Sequence, residues 1–98
     1  MEARMRRQPL RPIKQNESRT TYECGPVFYI TAKAGGILAD HTHIEAETLW
    51  IVEGRGKLQA GEETTEFEAP CILEIPGGIY HKFLPETDVN FIEQIHEG

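Results

Sequence analysis

Short apolar runs separated by glycine, proline and polar turn residues restrict the fold of this chain more than any other feature. From residue 26 onward, runs of four to eight residues rich in Val, Ile, Thr, Phe, Tyr and Trp alternate with such turns. Helical periodicity is hard to find, and short, evenly spaced runs are typical of a β-sandwich or barrel. The sequence therefore predicts an all-β domain, with strands at 26–33, 47–54, 57–60, 64–69, 71–75, 81–84 and 89–96.

The charge is distributed unevenly along a chain whose 98 residues allow a single domain. Residues 1–20 carry six basic and two acidic side chains, whereas residues 21–98 carry four basic and 14 acidic ones. We divide the chain into a basic N-terminal arm at 1–20, either flexible or an edge strand, and a barrel domain at 21–98. The acidic domain argues against nucleic-acid binding.

Nothing in the sequence indicates secretion or membrane insertion. No apolar run is long enough to cross a bilayer, and the basic N-terminus lacks the apolar stretch of a signal peptide. Two cysteines, Cys24 and Cys71, make no disulfide framework and are interpreted as buried thiols. We expect a soluble, cytoplasmic protein.

The segment His41-Thr42-His43, followed by Glu47, is the strongest indication of chemistry. Side chains alternate faces along a strand, so His41 and His43 point the same way and Glu47 shares their parity. Two imidazoles and a carboxylate suit Zn, Fe, Mn, Ni or Cu. A further ligand has to come from elsewhere, and His81 is the candidate because it follows a sharp Pro-Gly-Gly turn.

The alternative is that these four residues are ordinary strand residues. A single histidine on a strand is usually exposed or hydrogen-bonded in the core, and Glu47 alone would be a solvated charge. Burying four such polar groups without a metal would cost several kcal/mol, so a metal site explains the combination better. His96, close to the end of the sequence, is expected to be an exposed terminal side chain.

These residues resemble the cupin superfamily, whose first motif is G-x5-H-x-H-x3,4-E-x6-G. Gly35, His41, His43, Glu47 and Gly54 match it completely. The second motif, G-x5-P-x-G-x2-H-x3-N, is matched at three positions and differs at two. The matching positions are Pro76, Gly78 and His81, and the differing ones are Pro70 for Gly and Pro85 for Asn. The differences affect turn residues and not ligands.

The resemblance implies a single small antiparallel jelly-roll barrel that spans about residues 25–96. It implies one divalent metal ion held in the barrel mouth by His41, His43, Glu47 and His81. Fe, Mn, Zn and Ni all suit this set, and we favour iron or manganese. One or two open coordination positions would remain for water, oxygen or substrate.

Strand parity predicts which residues line the pocket and which face outward. If Glu47 and His81 point inward, so do Leu49, Ile51 and Phe83, which would give a small organic ligand an apolar lining. On the opposite face, Trp50 either belongs to a second core layer or forms a subunit interface. We predict a homodimer that uses the Trp50 face, with the N-terminal arm as a second candidate contact.

Two functions remain open at this point, because one fold supports many activities. In the first, the protein is a metal-dependent oxygenase or isomerase acting on a small organic substrate. The catalytic residues are unknown, and Tyr29, Tyr80 and Glu93 are the plausible acid–base candidates beyond the ligands. In the second, the barrel is a non-catalytic module that binds or senses a small ligand.

Overall fold

Residues 4–40 and 44–96 are described by a computed structural model, apart from the side chain of Asp40. Within these ranges the chain forms ten strands and no helix. The strands are β1 (Arg11–Gln15), β2 (Arg19–Cys24), β3 (Val27–Ala32), β4 (Leu38–Asp40), β5 (Glu47–Glu53), β6 (Arg55–Ala60), β7 (Glu63–Glu68), β8 (Cys71–Ile75), β9 (His81–Pro85) and β10 (Val89–Ile95). All seven predicted strands are present, and the all-β prediction is confirmed.

The strands form two antiparallel sheets. One has six strands in the order β1-β2-β3-β10-β5-β8, and the other has four in the order β4-β9-β6-β7. From β3 to β10 the chain passes to the other sheet at every connection except that between β6 and β7, which agrees with a jelly roll. The jelly-roll prediction is confirmed, with two separate sheets in the described part of the chain and no continuously hydrogen-bonded barrel.

The core lies where the two sheets face each other. Its buried apolar residues are Ile30, Ala32, Leu38, Leu49, Ile51, Leu58, Phe67, Ile75, Phe83, Val89 and Phe91. Phe83 is central, because its ring centroid lies 5.0 Å from that of Phe67 and 4.7 Å from that of Phe91. The Phe83–Phe91 contact joins the small sheet to the large one. Burial of each of the larger side chains contributes about 1.5–3 kcal/mol and fixes which sheet faces turn inward.

The alternation of buried and exposed residues follows the predicted parity on the two strands that carry ligand candidates. Glu47, Leu49 and Ile51 are buried on β5, and the residues between them are partly exposed. His81 and Phe83 are buried on β9 in the same way. Side chains two residues apart share a face, so both polar candidates point into the space between the sheets.

The basic segment that opens the chain takes part in the large sheet. Residues 11–15 form β1, which is exposed along its whole length and is the edge strand beside β2. The ion pair from Arg11 to Glu23, at 3.0 Å, joins the two strands through largely exposed side chains, so it contributes little stability. An edge strand is one of the two forms expected for the arm, and the division at residue 20 stays a prediction.

Two further sequence expectations concern the cysteines and the membrane. Cys24 and Cys71 have free thiols, but each is half-buried where full burial was expected. In the part of the chain that the structure describes, no helix could span a bilayer.

Candidate metal centre

A carboxylate and an imidazole meet between the two sheets. Glu47 begins β5 of the large sheet and His81 begins β9 of the small one, and they are 2% and 5% exposed. Glu47 Oε2 lies 3.2 Å from His81 Nε2. Charged and polar groups this deeply buried need a partner that offsets their lost hydration, so the pair marks a specialised location in a mainly apolar interior.

Local structure sets the orientation of the His81 ring. The chain turns at Gly78, whose φ of 77° is the left-handed conformation that glycine adopts without strain, and enters β9 at His81. His81 Nδ1 lies 3.4 Å from the carbonyl oxygen of Ile79. In the tautomer where Nδ1–H donates to this carbonyl, Nε2 presents its lone pair to Glu47. A backbone carbonyl that orients the far nitrogen in this way is typical of metal-binding histidines.

The spacing of the two atoms fits ligands of a single metal ion. Metal–nitrogen and metal–oxygen bonds of about 2.0–2.2 Å at angles of about 90–110° place two donor atoms about 3.0–3.5 Å apart. The 3.2 Å between Glu47 Oε2 and His81 Nε2 falls in that interval. A lone pair and a carboxylate oxygen repel each other at this distance unless a cation, whether a proton or a metal ion, is shared between them. The donor chemistry therefore suits a divalent ion.

The other two predicted ligands, His41 and His43, lie outside the described residues. The position of the preceding residue is known, because Asp40 at the end of β4 is paired with His81 in the small sheet. Residues 4–40 and 44–96 by themselves contain no group of three or more His, Cys, Asp or Glu side chains able to hold a metal. The four-residue ligand set therefore stays a prediction, and the structure brings together two of its members.

A small cavity lies beside His81 between the sheets. It is about large enough for one water molecule. Its lining consists of Arg19, Leu38, Leu49, Leu58, His81, Phe83, Phe91 and Glu93. Two of the predicted pocket residues, Leu49 and Phe83, are in this lining, while Ile51 lies on the same face of β5 and packs in the core. The cavity lining is thus mainly apolar, with Arg19 and Glu93 as its charged side chains beside His81.

The cavity distinguishes among the acid–base candidates. Glu93 lies in its lining, whereas Tyr80 is 49% exposed and Tyr29 is on the outer face of the large sheet, opposite Ile92. The inward position of Glu93 could have been read from its even spacing to Phe91 on β10. Arg19 was missed because β2 was not predicted. Without a predicted strand, nothing indicated which face of the sheet its side chain occupies.

His96 is exposed, as predicted, and is separate from this cavity. Its Nε2 lies 2.6 Å from Thr48 Oγ1, and its backbone N–H donates to the carbonyl oxygen of Ala46. Because the side chain of Thr48 lies between those of Glu47 and Leu49 on the strand, it projects from the opposite face of β5.

Comparison with known proteins establishes the family. The profile of the cupin domain matches residues 28–92, which include Glu47, His81 and the intervening strands. The chain therefore belongs to the cupin family. An uncharacterized protein of Streptomyces coelicolor is 32% identical over 50 residues, which are 51% of this chain and 48% of that protein. The chain thus matches about half the length of this curated relative.

Solved structures agree on the fold. The capsular polysaccharide assembling protein CapF of Staphylococcus aureus superposes with a TM-score of 0.77 at 20% identity, over 94% of this chain and 29% of that one. The salicylate 1,2-dioxygenase of Pseudoaminobacter salicylatoxidans superposes with a TM-score of 0.65 at 19% identity, over 68% of this chain and 20% of that one. At these identities the likeness concerns the fold, and the chain corresponds to a minor part of both proteins.

Proposed function

We propose that His41, His43, Glu47 and His81 bind one divalent metal ion, and that the protein is a metal-dependent enzyme of dioxygenase or isomerase type acting on a small organic substrate. The observation that carries the proposal is the buried pair of Glu47 and His81, whose donor atoms lie 3.2 Å apart. The cupin assignment and the first motif, which includes both histidines of the segment after Asp40, support the remaining two ligands.

The ligand set limits the choice of metal. Three imidazoles and one carboxylate suit octahedral Fe(II), Mn(II) or Ni(II), or Zn(II) with four or five ligands. We favour iron or manganese. A bound ion of this kind polarises a carbonyl group or activates oxygen.

The chain's own residues have three tasks in this proposal. Leu49 and Phe83 exclude bulk water from the surroundings of the ligands, which strengthens electrostatic interactions there. Glu93 would accept a proton from the substrate or donate one to it, and Arg19 would supply a positive charge; both roles are supported by their position beside His81. The ring of His81 is held in place by the carbonyl of Ile79.

The enzyme proposal is tested by comparing two metal forms of the same protein. Protein reconstituted with Fe(II) is expected to consume oxygen in the presence of a member of a panel of small aromatic, thiol and dicarbonyl compounds. Protein reconstituted with Zn(II), which has no accessible redox change, is expected to consume none. An oxygen electrode combined with mass spectrometry of the products measures both.

Each other outcome of that experiment has a defined meaning. Turnover by the zinc form without oxygen consumption would assign isomerase or hydrolytic chemistry. Inertness of both forms over the whole panel would contradict the enzyme proposal. It would favour the alternative in which the barrel binds or senses a small ligand without transforming it.

The role of Glu93 is tested with the substrate found in that screen. Glu93→Gln is expected to lower kcat by about 100-fold or more, because loss of a positioned acid–base group typically removes that much rate. The metal content is expected to stay at the wild-type level. Tyr29→Phe, on the outer face, is the matched control and should leave kcat within about twofold. An unchanged kcat in Glu93→Gln would remove Glu93 from the mechanism.

The remaining parts of the proposal concern location and assembly. We propose a cytoplasmic homodimer whose partner molecule is a small organic compound. Nucleic acid and membrane are not among the proposed partners, because the domain after residue 20 is strongly acidic.

A further inference from the structure

One row of side chains crosses the outer face of the six-stranded sheet from edge to edge. Cross-strand pairing aligns one residue from each strand. In sheet order this aromatic row consists of Pro12, Tyr22, Tyr29, Ile92, Trp50 and Ile72. At about 4.8 Å between neighbouring strands, the row is about 24 Å wide. The rings of Tyr22 and Tyr29 stack within it, with centroids 5.9 Å apart.

In the part of the chain that the structure describes, no layer covers the aromatic row. The opposite face of the sheet packs against the small sheet, whereas the members of the row on the four inner strands are only half-buried. At the edge, Ile72 is 56% exposed, and Val52, one strand further in on the same face, is 53% exposed. An apolar stripe of this length on a small domain is typical of an interaction surface.

The residues on either side of the aromatic row are mostly polar and uncharged. Thr20, Thr31 and Asn90 lie on one side of it, and Gln94 and Thr48 lie on the other. The acidic residues of this face, Glu53 and Glu74, are at its margins. In a chain with 26 charged residues among 98, such a face departs strongly from the rest of the surface. An aromatic centre without charges is the usual composition of a protein–protein interface core.

We propose that this face is the subunit interface of the homodimer and that it packs against its own copy across a twofold axis. Each copy carries a formal charge of −6, so acidic surfaces of two copies repel, and a face with few charges is where they can meet. Six strands and three rows of side chains cover on the order of 500 Å² in projection. Their corrugated accessible area is larger and approaches the roughly 800 Å² per partner of a standard interface.

The symmetry of the face specifies its contacts. An axis parallel to the strands and midway between β3 and β10 lays Ile92 of one copy over Tyr29 of the other. It likewise lays Trp50 over Tyr22, so a large aromatic anchor from each copy meets an aromatic partner at two equivalent places. Stacked sheets lie about 10 Å apart, which leaves room for these side chains to interdigitate.

Trp50 is the only tryptophan of the chain, so its fluorescence reports directly on the proposed interface. Wild-type protein is expected to be a dimer by light scattering at micromolar concentration, and dilution is expected to shift Trp50 emission to longer wavelength. Ile72→Lys should raise the dissociation constant of the dimer at least 100-fold, because the twofold axis buries the new charge twice. Ile37→Lys is the matched control, since Ile37 is 61% exposed before β4 and off this face, and it should leave the constant within twofold.

The outcomes separate this proposal from misfolding and from the metal proposal. Tyr22→Lys, on β2 next to the opposite end of the aromatic row, is expected to dissociate the dimer as well and serves if Ile72→Lys does not fold. Far-ultraviolet circular dichroism and metal content should match the wild type in every variant used, so that a lost dimer is not a lost metal site. A wild-type monomer at several hundred micromolar, or a dimer unaffected by both lysine variants, would overturn the proposal.

Discussion

His81→Gln is expected to weaken binding of a divalent metal ion by at least 100-fold. Replacing a residue that merely orients a metal ligand already costs about 10–100-fold in affinity, and loss of a ligand should cost no less. Glutamine keeps most of the side-chain volume and its polarity, so the core around Phe83 is preserved better than with alanine. The ion would then lose the imidazole ligand that acts beside Glu47, whose Oε2 lies 3.2 Å from His81 Nε2 in the wild type.

Metal content and thermal stability together measure this effect. Elemental analysis of purified protein should give close to one ion per wild-type chain and little metal in His81→Gln. Because an ion bound only to the folded state stabilises it, a chelator should lower the Tm of the wild type. The same chelator should leave the Tm of His81→Gln unchanged.

His96→Gln is the matched control for this substitution. His96 is the other histidine in the described residues, and it contacts Thr48 on the exposed side of the sheet. Its replacement should leave metal content and the chelator effect as in the wild type. A full complement of metal in His81→Gln, or its loss in His96→Gln, would contradict the proposed ligand set.

Gly54→Ala is expected to lower the free energy of unfolding by about 2–5 kcal/mol. Gly54 joins β5 of the large sheet to β6 of the small sheet with φ 98°, a conformation that costs other residues about 1–2 kcal/mol. An added Cβ would also meet the carbonyl oxygen of Asp88 and lie 2.8 Å from Val89 Cγ2. This segment is fixed in place, because the Arg55 N–H donates to Thr87 Oγ1, so overpacking adds about 1–3 kcal/mol.

Gly78→Ala separates the two parts of that effect. Gly78 has a similar φ of 77°, but a Cβ there would have nothing within 4 Å. Its replacement should therefore cost only the conformational energy, about 1–2 kcal/mol. Urea unfolding followed by circular dichroism measures both variants. Equal losses of unfolding free energy in the two variants would show that the contact with residues 87–89 does not affect stability.

The positions of the strands could be predicted where the sequence alternates clearly and ends in turn residues. Residues 47–53 and 71–75 are apolar runs bounded by glycine or proline, and both became strands close to the expected limits. The strands that were missed, β1, β2 and β4, are rich in charged or small residues or only three residues long. Their strand conformation depends on pairing with neighbours, and pairing partners distant in sequence leave no local periodicity.

The sequence by itself determined the all-β class, the inward faces of β5 and β9, and the pairing of Glu47 with His81 as candidates for one site. The alternation of side chains along a strand is a local property, so it can be read from the sequence. The two cupin motifs then relate Glu47 to His81, which are distant in the chain. Only the tertiary structure decided that Glu93 and Arg19 share the cavity with His81 and that Trp50 belongs to a row across six strands. Both results depend on the register between strands far apart in the chain, which is set when the two sheets bury their apolar faces together.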